Sequence, residues 1–283
     1  PTPMCAQRDN SSQDGAKAEA QMQWEARPCG AEGVHGPIPE SPEWFREARR
    51  VRFDDHAPWI PTSMLLGSIS GREVLEIGVG IGCDHYCLAQ QGNTMTGLDL
   101  SREHLRLTTL HLQHEGLTGT AVHGDAENMP FPDNSFDVIY SCGALHHTPD
   151  FEKALSECAR VLRPGGQFII AVYHRDSLFF GLGTILRNGI LKAGFVRHGW
   201  ARTLAKIEHG AGYDAVPLVR VYSRGQLKSS VQRWFEVESL HATHVGSHRL
   251  EVIAKRLGIS RTRLERALGW AGWYLVLHGR KRS

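Results

Sequence analysis

Glu76 stands two residues ahead of three glycines on alternate positions, Gly78, Gly80 and Gly82, at the end of the apolar run Val74-Leu75-Glu76-Ile77. An apolar run that meets such a triplet and then a helix-compatible stretch reads as a strand turning tightly into a helix. Bare glycines remove every Cβ from the turn, so backbone amides and the positive end of the following helix can approach a small polar ligand. A dinucleotide loop would need its third glycine at position 83, which holds Cys83, and no lysine followed by Ser or Thr supplies a phosphate-cradling loop.

Two more acids follow at strand-like stations. Thr94 to Ser101 reads as a second strand ending in Asp99-Leu100-Ser101. In a doubly wound sheet that carboxylate sits at the tip of the neighbouring strand, facing the same crevice, where it can accept hydrogen bonds from ribose hydroxyls, with apolar Leu100 beside it to cover a ring. Ser101 also suits a helix N-cap. Ala121-Val122-His123 reads as a short strand leading to Gly124-Asp125-Ala126, and Ser135 to Ser141 as a fourth strand leaving through Cys142-Gly143-Ala144-Leu145-His146-His147. A helix from about Asp150 to Leu162, the turn Arg163-Pro164-Gly165-Gly166 and a fifth strand, Gln167 to Tyr173, complete the series.

In this order, from Val74 to Tyr173, the stations resemble class I S-adenosylmethionine-dependent methyltransferases. The likeness rests on Glu76-x-Gly78-x-Gly80-x-Gly82, Asp99, Asp125-Ala126 and Leu162-Arg163-Pro164-Gly165-Gly166. It implies an α/β fold: a doubly wound, seven-stranded, mostly parallel sheet with helices on both faces. S-adenosyl-L-methionine is the implied cofactor, held by Glu76, Gly78, Gly80, Gly82, Asp99, Leu100, Asp125, Ala126 and Ser141, with Asp125 taking the adenine amino group and the Ala126 amide a ring nitrogen. The tail resembles uncharacterised bacterial members in its Tyr173-His174-Arg175 exit and Arg220-Val221-Tyr222-Ser223-Arg224 segment.

The rest of the chain must position and cover that site. Residues 1–36, rich in Gln, Ala, Gly, Ser and Pro without periodicity, are expected to be a mobile leader. Residues 37–66 are expected to form N-terminal lid helices, 67–176 the cofactor-binding core, 177–222 a helical cap insertion after strand five, and 223–283 the completion of the sheet. In the lid, Phe45, Phe53 and Trp59 are candidates to hold a sulfonium cation or the acceptor, and simple packing on the sheet is the competing assignment. The cap is too long for an ordinary connection and is expected over the acceptor pocket. Ser223 can cap a helix running to Trp234; Phe235 to His244 and Trp273 to Gly279 read as closing antiparallel strands, with helical, partly basic material at Arg249 to Leu268.

Methyl transfer is an in-line displacement governed by positioning, and a base matters only when the acceptor must lose a proton. His146, His147 and His174 stand at strand ends, and a histidine titrates near neutral pH. His146, His174 and Tyr173 are the catalytic candidates, beside the alternative that no side-chain base is used. Arg175, Arg220 and Arg224 could grip an acidic acceptor or pair with Asp176, Asp214 and Glu236; Arg175, Arg220 and Tyr222 are taken as acceptor-binding candidates.

Composition bounds the functional class. With 283 residues, 41% hydrophobic, the chain can bury one large core, and a net charge of +2 is too balanced to demand nucleic acid. No stretch of eighteen apolar residues spans a membrane and no signal-like run opens the chain, so cytoplasmic residence and no membrane partner are expected. Six cysteines without a C-x-x-C pair argue against a disulfide framework or zinc site, and Ser141 where cytosine-5 enzymes carry proline argues against Cys142 as a nucleophile. No metal is expected. The favoured function is methyl transfer to O, N or C of a small-molecule, biosynthetic acceptor. The alternatives are another use of the same cofactor, cyclisation or aminocarboxypropyl transfer with release of methylthioadenosine, and a nucleic-acid or protein methyltransferase or non-catalytic binding module. Against that last group, the strand-four exit lacks an acidic or Asn residue followed by Pro-Pro and an aromatic. Oligomeric state is not legible.

Overall fold

The structure is a computed structural model that describes residues 10–209, 218–245, 260, 263 and 267–282. The helical reading of Arg249 to Leu268 falls almost wholly outside the described residues, as does Asp214.

Apolar runs, the central ones buried on both faces, build a seven-stranded sheet. Its strands are β1 (Glu73–Ile77), β2 (Thr94–Asp99), β3 (Thr120–His123), β4 (Phe136–Cys142), β5 (Leu162–Tyr173), β6 (Phe235–Thr243) and β7 (Tyr274–Lys281), in the order β3-β2-β1-β4-β5-β7-β6. The first five pair in parallel, and β7 runs antiparallel to both β5 and β6. The doubly wound, mostly parallel sheet is therefore as the sequence implies. The order reverses between β1 and β4, and a sheet of this kind opens its ligand crevice at that switch point, beyond the carboxyl ends of the strands.

Alternation sends successive side chains to opposite faces. Leu75, Ile139, Phe168 and Ile170 pack on one face with α6 (Phe151–Val161) and α8 (Arg224–Val231). Val74, Val138, Tyr140 and Ile169 pack on the other with α3 (Ile60–Ser63) and α4 (Cys83–Gln90). Caps fix where the helices begin: Asp150 accepts from the Lys153 amide for α6, Ser101 from His104 for α5 (Arg102–His114), and Ser223 with Gln226 forms a reciprocal capping box for α8.

At its N-terminal end the fold departs from one expectation. Where a mobile leader is expected, α1 (Asn10–Ala26) is a helix laid on the core. Its order comes from polar contacts that no periodicity announces: Lys17 bridges Asp125 and Glu127 at 2.6 Å each, and Glu25 accepts from the Arg102 amide at the head of α5. After α2 (Pro42–Arg50) comes a π-helical turn, Val51–His56. Beyond β5, the insertion opens with a thirteen-residue π-helix, Phe179–Leu191, followed by α7 (Gly194–His209), kinked at Gly199.

Candidate functional site

A cleft lies over the β1–β4 switch point. Its wall is the backbone of the glycine turn, its rim the tips of β2 and β4, and its cover the leader at Trp24, Cys29 and Gly30. The turn is shaped by necessity: Gly78, Gly80 and Gly82 have φ of 79°, 54° and 80°, the left-handed region that L side chains rarely adopt. Space adds a second constraint. A Cβ on Gly78 would lie 2.2 Å from the Ala144 Cβ, and one on Gly80 would lie 2.8 Å from the Cys29 carbonyl oxygen. Gly82 does not line the cleft; it caps α4 and packs on Thr108.

Asp99 organises the β2 side. One carboxylate oxygen accepts from the Ser101 amide at 2.8 Å, and the other accepts from the Val79 amide at 2.9 Å and His104 Nδ1 at 3.1 Å. His104 Nε2 accepts from the Cys29 amide at 3.1 Å, so the ring is a neutral tautomer linking Asp99 to the leader. The Cys29 carbonyl in turn accepts from the Ile81 amide at 3.2 Å. His104 is a site residue that the sequence reading misses; its place three residues after a capping serine, on the turn facing Asp99, is the signal that could have found it.

The cleft floor holds a buried charge network. Arg52, from the π-helical turn, grips Asp84 through Nε at 2.5 Å and a terminal nitrogen at 2.8 Å, and Tyr140 donates its hydroxyl to Asp84 at 2.8 Å. Burial alone would lower the Arg52 pKa; the Asp84 charge reverses this and holds it well above the ordinary value. Beside it, burial reinforced by Asp84 pushes the Glu76 carboxyl well above the usual carboxylate range, and burial pushes His85 down to about 4. His85 is thus neutral near pH 7, with Nδ1 hydrogen-bonded to a Glu76 carboxyl oxygen at 2.8 Å. Arg52 and Asp84 are 32 positions apart, and no local pattern pairs them.

At the β3 end, Asp125 accepts from the Glu127 amide with one oxygen and from Lys17 with the other. Although burial opposes it, the two carboxylates hold the Lys17 ammonium above its usual pKa. Leu100 and Ala126 also line the cleft, as do Glu76, Gly78 and Gly80. Ser141 does not: it is fully buried and donates to the Ile77 carbonyl at 2.9 Å, tying β4 to β1.

The catalytic candidates separate. His147 lines the cleft, donates Nδ1–H to the Leu218 carbonyl at 2.7 Å and meets Trp24 edge-on at 5.3 Å. His146 is buried between His147 and Tyr173, with ring centroids 4.1 and 3.9 Å away and neither ring nitrogen hydrogen-bonded, and burial drives its pKa well down. His174 is buried with Nδ1 on the Gly272 carbonyl at 2.9 Å, and Tyr173 stacks on Trp273 at 4.4 Å. His146, His174 and Tyr173 form a layer behind the cleft rather than its wall.

The acceptor candidates lie away from this cleft. Phe45 stacks on His111 at 4.4 Å, Trp59 packs on Tyr274 at 4.8 Å, and Phe53 joins the packing between them; none lines the cleft. Their amphipathic segment contributes Arg52 to the site in their place. Arg175 pairs with Asp176 at 3.2 Å on the surface, Arg220 donates to the Pro149 carbonyl, Arg224 to that of Trp270, and Tyr222 packs on Phe151. Cys142 lines the cleft, but burial raises its thiol pKa well above the ordinary value, which disfavours the thiolate. Among the described residues, no group of three or more His, Cys, Asp or Glu is placed to hold a metal ion, and no helix is long and apolar enough to cross a membrane.

Residues 75–170 match the family model for the methyltransferase domain. A sterol 24-C-methyltransferase of Gibberella zeae is 34% identical over 146 residues, covering 47% of this chain and 38% of that protein. A demethylmenaquinone methyltransferase of Tropheryma whipplei is 28% identical over 205 residues, covering 72% of this chain and 77% of that protein. The chain thus spans about two fifths of the length of the first curated relatives it matches. Among solved structures, 1,6-didemethyltoxoflavin-N1-methyltransferase of Burkholderia thailandensis, with 1,6-didemethyltoxoflavin and S-adenosylhomocysteine bound, superposes with a TM-score of 0.54. That match covers 100% of this chain and 95% of that one at 19% identity, a likeness of fold.

Proposed function

We propose that this protein moves a methyl group from S-adenosyl-L-methionine to O, N or C of a small-molecule acceptor, because residues 75–170 match the family model for the methyltransferase domain. The observation that carries the reading is a cleft in which Glu76, Asp99 and Asp125 stand in order along a wall of bare glycine backbone. That donor set fits the cofactor: a glycine cradle that any Cβ would fill, carboxylates for ribose and adenine, and an acid-rich floor for a ligand carrying a sulfonium and an ammonium.

When bound, the cofactor supplies an electrophilic methyl on a cationic sulfur. The protein's own contribution is placement and exclusion of water. Asp99, oriented by the Val79 and Ser101 amides and by His104, would hold the ribose end; Asp125 and Ala126 the adenine; Glu76 and the Gly78–Gly80 backbone the amino-acid end. Arg52, fixed by Asp84 in the cleft floor, would face the α-carboxylate. His147 is the proposed proton acceptor, because the Leu218 carbonyl fixes Nδ1 as the donor and so leaves Nε2 as the basic atom.

The names of the relatives support a small, hydrophobic acceptor: a sterol in one, demethylmenaquinone in another. Incubating the purified chain with S-adenosylmethionine and a panel of such acceptors, followed by mass spectrometry of both products, tests the reading. S-adenosylhomocysteine with an acceptor heavier by one methyl is the expected result. Methylthioadenosine in its place would assign the reaction to another carbon of the cofactor, and absence of cofactor binding by calorimetry would overturn the assignment altogether.

A further inference from the structure

We infer that the insertion after β5 is an interfacial anchor that docks on an anionic lipid bilayer. The insertion packs by one side only. In the Phe179–Leu191 π-helix, Phe180, Thr184 and Gly189 face inward, and Phe180 and Leu204 of α7 join Tyr173, Val219 and Trp273 at the strand exits. The opposite side recurs at Leu182, Leu186 and Ile190, the spacing of a second stripe, and these residues are exposed. Around the turn into α7 the exposure rises further: Ile190 59%, Leu191 73%, Val196 90% and Trp200 56%. A soluble face with ordinary duties does not present so many large apolar side chains together.

Charge selects the occupant. Arg187, Lys192, Arg197 and Arg202 are exposed on the same two helices and the turn between them, and residues 177–207 contain no Asp or Glu, the acids lying just outside at Asp176 and Glu208. An exposed apolar stripe whose charged neighbours over that span are all cations, with a tryptophan among them, is the pattern of an element lying in the headgroup layer of a bilayer: aliphatic side chains enter the acyl boundary and Lys and Arg meet the lipid phosphates. A second copy of the chain would bring the same positive charge and be repelled.

The position of the anchor connects it to the site. Phe179 and Phe180 contact Trp273, Trp273 stacks on Tyr173, Tyr173 packs on His146, and His146 on His147, which lines the cleft. A molecule dissolved in the bilayer under the cap is therefore one aromatic layer from the cleft. Docking stands on the insertion alone; delivery of a lipid-dissolved acceptor rests also on the methyltransferase reading.

Vesicle flotation with the full chain tests it, using phosphatidylcholine alone and phosphatidylcholine mixed with phosphatidylglycerol. The protein should float with the anionic vesicles, less with the neutral ones, and less as salt is raised. Leu186→Glu with Ile190→Glu should abolish flotation, and Lys192→Glu with Arg197→Glu should weaken it roughly tenfold or more. All four positions are exposed, so thermal midpoint and S-adenosylmethionine affinity in the absence of lipid should match the parent. Failure of the parent to float, variants that float as well as the parent, or an apolar-face variant that alters only the mass in light scattering would each overturn the inference. Cofactor binding without lipid reports on the reaction separately, so a chain that binds cofactor but not vesicles sinks this inference alone, and the reverse result sinks the reaction alone.

Discussion

At the residue scale the site is governed by contacts that tolerate no added atom. Gly78 is held twice, by a φ of 79° and by Ala144 across the β1–β4 seam. Gly78→Ala is expected to lower the thermal midpoint by several degrees and weaken S-adenosylmethionine binding more than tenfold, since the left-handed backbone alone costs about 1–2 kcal/mol before the clash. Adding Ala144→Gly should recover the part due to the clash and leave the part due to the backbone; full recovery of both midpoint and affinity would show that φ does not matter there. His147 and His146 make the complementary case, adjacent in sequence yet placed on the wall and behind it. With a responsive acceptor, His147→Gln should lower kcat roughly a hundredfold, whereas His146→Leu should leave kcat within a few-fold of the parent. A kcat unchanged by the His147 substitution would remove the base and leave catalysis to positioning.

At the scale of elements, the leader helix is where sequence and structure part most. The stations from Val74 to Tyr173 are legible because each is local: an apolar run, an acid at its tip, a turn residue, a cap. The leader is not, because α1 is fixed by single polar contacts at long range, Lys17 to Asp125 across 108 positions and Glu25 to Arg102 across 77. Nothing in its composition announces either. Arg52 was hidden for the same reason, while the aromatics around it drew the assignment because they look like a cation-binding face and in fact fill the core. The π-helical start of the insertion is likewise not written in residue spacing. The leader bears on the proposed function: Lys17 holds one Asp125 oxygen, so if Asp125 takes the adenine as proposed, the helix must yield that contact when the cleft fills. Lys17→Ala should therefore speed both association and release of S-adenosylmethionine, measured by stopped-flow fluorescence. Deleting residues 1–26 should do the same more strongly while the sheet stays folded. Rates identical to the parent in both variants would mean that α1 does not gate the cleft.

At the scale of the whole molecule, the same burial that shapes the cleft ties its stability to pH. His85 lies under the glycine turn against Glu76, and His111 on α5 is stacked between Phe45 and Tyr86 with Nδ1 on the Ile81 carbonyl. Burial depresses both imidazoles to about 4, against an ordinary value of 6.5. Each is neutral in the folded state where the unfolded chain would already be protonated, so unfolding takes up a proton. The stability they confer is complete above about pH 6.5 and is lost as pH falls from there toward 4. Carboxylates such as Glu157, held low by Arg160, lose theirs only in more acidic solution, whereas Glu76, raised by burial, gains its proton first in the folded state and opposes the histidines in this interval. His111→Gln removes one depressed imidazole, so between pH 6.5 and 5 its thermal midpoint should fall less steeply than the parent's even if it is lower at every pH. Equal slopes in the two proteins would mean that His111 is not confined as the packing of α5 against the sheet requires.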